Sequence, residues 1–158
     1  MKLNVGSGRY PAAGWLNIDA DPTVIAERVI DITQPLPDEL KGITAVYLGH
    51  VLHYLHPADV PVALHALWER CIPGAQVAAV GPDALRLLDK KIPIDRALEH
   101  LGGDRRMWAC EHFRLTMIMR ISGLQRVRPV DISSAELQGF PVTSRVDWQC
   151  AVRGQVRG

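Results

Sequence analysis

The feature that most constrains the fold lies in KLNVGSGRYPAAGWLNID, residues 2 to 19. Lys2–Val5 and Trp15–Asp19 have the composition of strands, and Gly6 and Gly8 break the chain just after the first of them. A strand, a glycine turn and a second strand ending in an acid form the usual cradle for a nucleotide-like cofactor. Only residues 6 to 14 separate the two strands. A crossover between parallel strands usually takes roughly a dozen residues or more. Any helix in this connection is therefore a turn or so.

That brevity bears on the ligand. A dinucleotide sets its pyrophosphate on a helix N-terminus, and a third glycine lets helix and strand pack closely. Pro11 stands where that glycine would be. NAD and FAD are disfavoured, and a nicotinamide oxidoreductase is the least favoured reading. A cofactor without phosphate needs glycines for close backbone approach and an acid to accept from ribose hydroxyls. Asp19 suits the ribose, and Asp31 suits the adenine edge. This set of requirements describes S-adenosylmethionine.

The rest of the chain supplies a matching frame. Further strand-like segments are Arg28–Asp31, Ile43–Leu48 and Gln76–Val80, and ITAVYL is apolar throughout, as in a central strand covered on both faces. PADVPVALHALWERC (57–71) is the clearest helix, with Val60, Leu64, Leu67, Trp68 and Cys71 on one stripe and PGA at 73–75 ending it. Residues 84–101 read as helical with a break near Pro93, and FRLTMIMRISG (113–123) as a helix closed by Gly123. LQRVRPVDI and SRVDWQCAVRG read as two final strands paired at the sheet edge. The expected fold is α/β: a Rossmann-like doubly wound sheet, mostly parallel with an antiparallel edge strand. One domain spans 1–158, with 84–113 as a lid or acceptor-side insertion. In such sheets ligands bind outside the carboxyl ends of the strands, where Gly6-Ser7-Gly8, Asp19, Asp31, Gly49-His50 and Gly81-Pro82-Asp83 fall.

Composition excludes several classes. The 158 residues are 47% hydrophobic and 22% charged with a formal net charge of +1, so no global field selects nucleic acid or an anionic membrane. Arg105–Arg106 and Arg126 with Arg128 are local basic pairs. No apolar run approaches the ~20 residues of a membrane span, and no secretory leader is expected before a chain that opens on a strand. Cys71, Cys110 and Cys150 are odd in number and widely spaced, which suits reduced thiols in the cytoplasm.

Taken in order, these segments resemble class I S-adenosylmethionine-dependent methyltransferases of the "methyltransferase type 11" kind. LNVGSG resembles the first motif, and GWLNID the variant whose second acid follows a shortened connection. VIDITQPLP is similar to the third motif, and ITAVYLGHVLHYLHPADV to the fourth strand and its following turn. RCIPGAQVAAVGPD resembles the strand introduced by Pro-Gly-Gly and closed by Pro-Asp. LGGDRRMWACEHFRLTMIMRISGLQRV is similar to a late segment in which a glycine pair and a His precede a helix. The resemblance covers nearly the whole chain. It implies methyl transfer to a small-molecule acceptor, while the balanced charge and the lack of a long apolar run disfavour nucleic acid and a membrane as partners. Asn4, Gly6, Ser7 and Gly8 would face the methionine part, Asp19 with Ala20 the ribose, Asp31 and Ile32 the adenine, and Gly49 and His50 the closing wall. Asn4 replaces a common acid, Ala75 a glycine, and His53-Tyr54 an acid–His pair.

A base is needed only where the acceptor must lose a proton. By position His50, His53, Tyr10 and His112 are candidates, and His53 is the expected one. His50, His53 and His56 step around a helix rather than sharing a face, so no metal is expected. Cys110 beside Glu111 and His112 lacks the partners of a nucleophile. Trp108 and Phe113 either line an acceptor pocket or pack beneath the insertion. A non-catalytic module that binds the cofactor or a protein partner is the alternative reading.

Overall fold

The computed structural model describes residues 1–89, 111–142 and 149–157. Strands β1 (Lys2–Val5), β2 (Leu16–Asp19), β3 (Arg28–Val29), β4 (Ile43–Gly49), β5 (Cys71–Pro82), β6 (Gln125–Val130) and β7 (Gln149–Gln155) form one sheet. Its order is β3-β2-β1-β4-β5-β7-β6, and the order reverses between β1 and β4. The first five strands run parallel, and β7 is antiparallel to both of its neighbours. The antiparallel strand lies one place in, and β6 forms the rim. Burial explains that arrangement. Cys150, Ala151 and Val152 are all fully buried, so β7 needs cover on both faces. In β6 only Val127 and Val130 are buried, and Pro129 and the arginines suit a rim.

Helices α1 (Val60–Glu69) and α3 (His112–Ile121) pack on one face of the sheet, while the short α2 (Ala84–Asp89) follows β5. The α1 stripe is Val60, Ala63, Leu64, Leu67 and Trp68, and it meets Leu115 and Met119 of α3. Helix α1 starts later than expected from Pro57, with Pro61 in its first turn, where a missing N–H costs nothing. Trp68 Nε1 donates to Ser122 Oγ at 2.9 Å, and Ser122 Oγ donates to Met119 O at 2.8 Å, joining the two helices by a buried chain. Among the described residues the other face is covered without an α-helix. Trp15, Leu137, Phe140 and Val142 close over Tyr47, Ala78, Val80 and Ala151.

The connection from β1 to β2 contains turns and no helix, as its length demands. A side chain does the work of the missing helix. Asn17 Oδ1 accepts from Ala12 N at 2.7 Å and from Asn4 Nδ2 at 2.8 Å. Asn17 Nδ2 shares its two protons among Trp15 O, Ala12 O and Glu27 Oε2 at 3.0, 3.2 and 3.0 Å. Glu27 Oε2 also accepts from Asn17 N at 2.7 Å. Asn4 and Asn17 are register partners across β1 and β2, and both are buried.

Removing this hub strands several buried polar groups together. Asn17→Ala orphans the Asn4 amide and the Ala12 N–H, each costing ~1–3 kcal/mol when left buried without a partner. Urea unfolding is expected to show a loss of roughly 3 kcal/mol for Asn17→Ala and about 1 kcal/mol for Asn4→Ala. Equal, small losses in both variants would mean the connection is held by something else.

Candidate functional site

Turn geometry after β1 begins the site. Gly6 and Gly8 have φ of 64° and 51°, the left-handed region that a side chain resists. A Cβ on Gly6 would also lie 2.7 Å from Val51 Cγ2, so this glycine is required by the segment after β4 as well as by its own backbone. Ser7 N donates to Ile18 O at 3.1 Å, pinning the turn to β2. Asp19 then reaches back. Its Oδ2 accepts from Gly8 N at 2.8 Å and its Oδ1 from Asp21 N at 2.9 Å.

These elements border a cavity of about 670 Å³ at the carboxyl ends of β1, β2 and β4, where the strand order reverses. Asn4, Gly6, Ser7, Gly8, Asp19, Ala20, Asp31, Ile32, Gly49 and His50 all line it. Tyr10, Tyr47, Val51, Tyr54 and Pro141 line it too, and of these only Tyr10 was named from the sequence as a candidate base. Tyr47 could have been found from Gly49. A Cβ at Gly49 would lie 2.4 Å from the Tyr47 ring, so the glycine leaves room for the tyrosine. Pro141 carries no local signal of its position.

The chain matches no protein-family model and no curated protein. Solved structures do match. The S-adenosylmethionine-dependent methyltransferase SibL superposes with a TM-score of 0.67 at 16% identity, over 99% of this chain and 50% of SibL. A SAM-dependent methyltransferase from Archaeoglobus fulgidus gives 0.64 at 12% identity, over 98% and 85% of the two chains. The N-methyltransferase NodS from Bradyrhizobium japonicum, in complex with S-adenosyl-L-homocysteine, gives 0.61 at 15% identity, over 99% and 78%. The chain has the class I methyltransferase fold. It spans about half the length of SibL.

Within that methyltransferase fold, the residues present can be tested against the cofactor's chemistry. Ser7 Oγ is buried without a hydrogen-bond partner. Asp19 spends one acceptor site on each oxygen, and a carboxylate has about four, so acceptor capacity remains for a diol. Gly8 has open space where a Cβ would stand. The turn after β1 runs into a non-helical connection and so presents no helix N-terminus to a phosphate. These features fit S-adenosylmethionine. Asp31 is more occupied than its position suggests, because its Oδ1 accepts from Thr33 N and Oγ1 at 2.9 and 2.7 Å. Asn4 borders the cavity with its amide nitrogen engaged by Asn17.

The histidines divide sharply. His53 is fully buried and does not line the cavity, with its ring 4.4 Å from that of Tyr54 and 6.0 Å from that of His50. His50 does line it, in a left-handed conformation at φ 55° that non-glycine residues rarely adopt. Its N–H donates to Val80 O at 2.8 Å, and its Nε2 lies 2.6 Å from Gln149 Nε2. The buried Gln149 Oε1 has no partner. Cys71 is inert, its thiol pushed up to about 12 by burial.

His112 stands elsewhere on the same sheet edge. Its Nδ1 is 3.6 Å from Asp83 Oδ2, and Arg86 Nε is 3.7 Å from that same oxygen. His112 does not line the cavity, and Phe113 is 74% exposed, so neither stands at the described site. Trp108, Arg105, Arg106 and Cys110 lie outside the described residues. Despite the nearby carboxylate, the His112 pKa is lowered. Burial disfavours its charged form, Arg86 adds repulsion, and Asp83 only partly offsets them.

The sign of the pH effect follows. The folded chain holds this proton more weakly than the unfolded chain, whose histidine titrates near 6.5. The stability contribution is complete above that value and is lost as pH falls below it, through the lowered folded value. Thermal unfolding followed from about pH 7.5 to about pH 5 should fall more steeply for the native chain than for His112→Gln. Parallel curves would show that His112 does not contribute.

Proposed function

We propose that this chain catalyses S-adenosylmethionine-dependent methyl transfer to a small-molecule acceptor. The carrying observation is the cavity at the reversal of strand order, bordered by the Gly6-Ser7-Gly8 turn, by Asp19 at the end of β2 and by Asp31 two residues beyond β3. Asp19 accepts from the ribose hydroxyls through the acceptor sites left over from Gly8 and Asp21. Asp31 and Ile32 border the adenine, Asn4 with Gly6–Gly8 receives the methionine end, and Gly49 and His50 close the wall. The bound cofactor supplies a methyl group already activated on a sulfonium. The protein's part is alignment and exclusion of water.

His50 takes the proton-accepting role expected of His53, because His50 alone of the two borders the cavity. Gln149 suits a ring that changes charge. Its amide N–H donates to Nε2 of a neutral ring, and the rotated amide accepts from Nε2 of a protonated one. Residues 84–113, which follow β5 in the chain, are proposed as the acceptor side of this single domain. Cys71 is a free thiol, which supports a cytoplasmic setting. Among the described residues no helix is long and apolar enough to cross a membrane. A non-catalytic binding module is the second reading, supported by the engagement of His50 with Gln149 before any acceptor arrives.

Ligand-induced stabilisation tests the cofactor. S-adenosylhomocysteine at ~100 times its dissociation constant should add ~2.7 kcal/mol to stability, while NAD at equal concentration adds nothing. Equal shifts from both, or none from either, would remove the assignment. Asp19 provides the residue-level check. Asp19→Ala removes charge-assisted bonds worth ~1.5–3 kcal/mol each, so calorimetry should show affinity for S-adenosylhomocysteine down at least tenfold. The same variant loses the bonds to Gly8 and Asp21, so its melting temperature should fall as well. Unchanged affinity in a folded variant would leave Asp19 as a turn residue only.

A further inference from the structure

At the opposite end of the sheet from the cavity, a second cleft of about 200 Å³ is lined by Gln76, Arg126, Arg128, Arg153, Gly154 and Gln155. Three of its lining residues are arginines. Arg128 and Arg153 are register partners directly across β6 and β7, an arrangement in which like charges repel. The register shifts between Gln125 and Arg128, and Arg126 within that bulge has φ 52°. A left-handed arginine costs about 1–2 kcal/mol. Two unfavourable features thus fall on one short segment.

The charges are only partly answered. Arg128 is paired with Glu136. Arg153 donates to the neutral Gln76 Oε1 at 2.8 Å and lies over the Phe140 ring at 5.4 Å. Arg126 has no ion-pair or hydrogen-bond partner among the described residues. Among the described residues one carboxylate is paired with the three arginines of this cleft, leaving two positive charges over. Arginine forks match tetrahedral and planar oxyanions bidentately. A bulge at a sheet rim re-aims side chains, and solvated rim arginines alone would not require a left-handed residue to bring them together.

We propose that this cleft binds a dianionic phosphate group, free or as the monoester of a small ligand. The site is separate from the methyl-transfer cavity, and neither proposal depends on the other. In heteronuclear NMR at constant ionic strength, inorganic phosphate should give saturable shifts of the Gly154 and Gln155 amides and the Arg126 Nε–H, with chloride giving none. Adenosine monophosphate should reproduce those shifts, and adenosine should not, which separates recognition of the phosphate from recognition of the base. A response to inorganic phosphate but not to the monophosphate assigns the free ion as the ligand.

Arg126→Gln should raise the half-saturation concentration at least tenfold. Arg126→Gly, which relieves the backbone, should do the same while keeping or raising the melting temperature, so a folding defect cannot imitate the result. Shifts that do not saturate, that chloride or adenosine reproduces, or that survive in both variants would overturn the proposal.

Discussion

The structure depends on how β1 and β2 are held side by side without a crossover helix. Parallel neighbours normally rely on a helix lying across the sheet to set their spacing and cover the face between them. Here the Asn17 amide takes over the first task. It ties Ala12 and Trp15 of the connection, Asn4 of β1 and Glu27 ahead of β3 into one hydrogen-bonded unit. Such a hub works only when every member is satisfied, because a buried amide with a missing partner costs more than an apolar residue in its place. Its members come from four segments close in sequence, so it forms largely from local contacts.

Trp15 takes over the second task. Held by its own carbonyl to Asn17, it is 8% exposed and packs at 5.8 Å against the Phe140 ring, with Lys2 Nζ 5.6 Å above it. Among the described residues, the face that a helix would cover is closed by Trp15 and the segment that follows β6. This economy has a consequence at the site. Pro141, next to Phe140, lines the cavity, so the cover of the sheet and one wall of the cleft are the same piece of chain. The short connection, the bare face and the wall supplied from late in the sequence are linked.

Much of this was legible before any coordinates. The missing crossover helix followed from counting residues 6 to 14, and the strand ends that line the cavity followed from where ligands sit in parallel sheets. What the sequence left open were matters of tertiary partnership. Asn4 and Asn17 read as a departure from a motif and an ordinary strand residue; only their register shows that they bond each other. His50 and His53 are equivalent as letters three apart, yet one borders the cleft and the other is sealed in the core. Their separation is set by the left-handed backbone at His50, which no helical or strand periodicity can report. Gln149 lies 99 positions from His50 and sits in β7, whose place inside the sheet is decided by burial on both faces.

Of the two left-handed non-glycine residues among the described residues, His50 borders the cavity, and what holds it there says how the site is kept in shape. Gly6, Gly8 and His50, all in the left-handed region, border it together. Strain of this kind, ~1–3 kcal/mol for a non-glycine residue, persists only where the surroundings over-determine the conformation. For His50 the surroundings are identifiable. Its N–H is fixed on β5 through Val80 O, its ring is fixed on β7 through Gln149, and the Tyr47 ring fills the space beside the preceding Gly49. For the first turn they are Ser7 N on β2, Asp19 on Gly8 N, and Val51 pressed against Gly6. The two turns also hold each other, since Val51 directly follows His50 and occupies the space a side chain at Gly6 would need. A cleft braced in this way is shaped before a ligand enters, so binding energy need not be spent on ordering its walls.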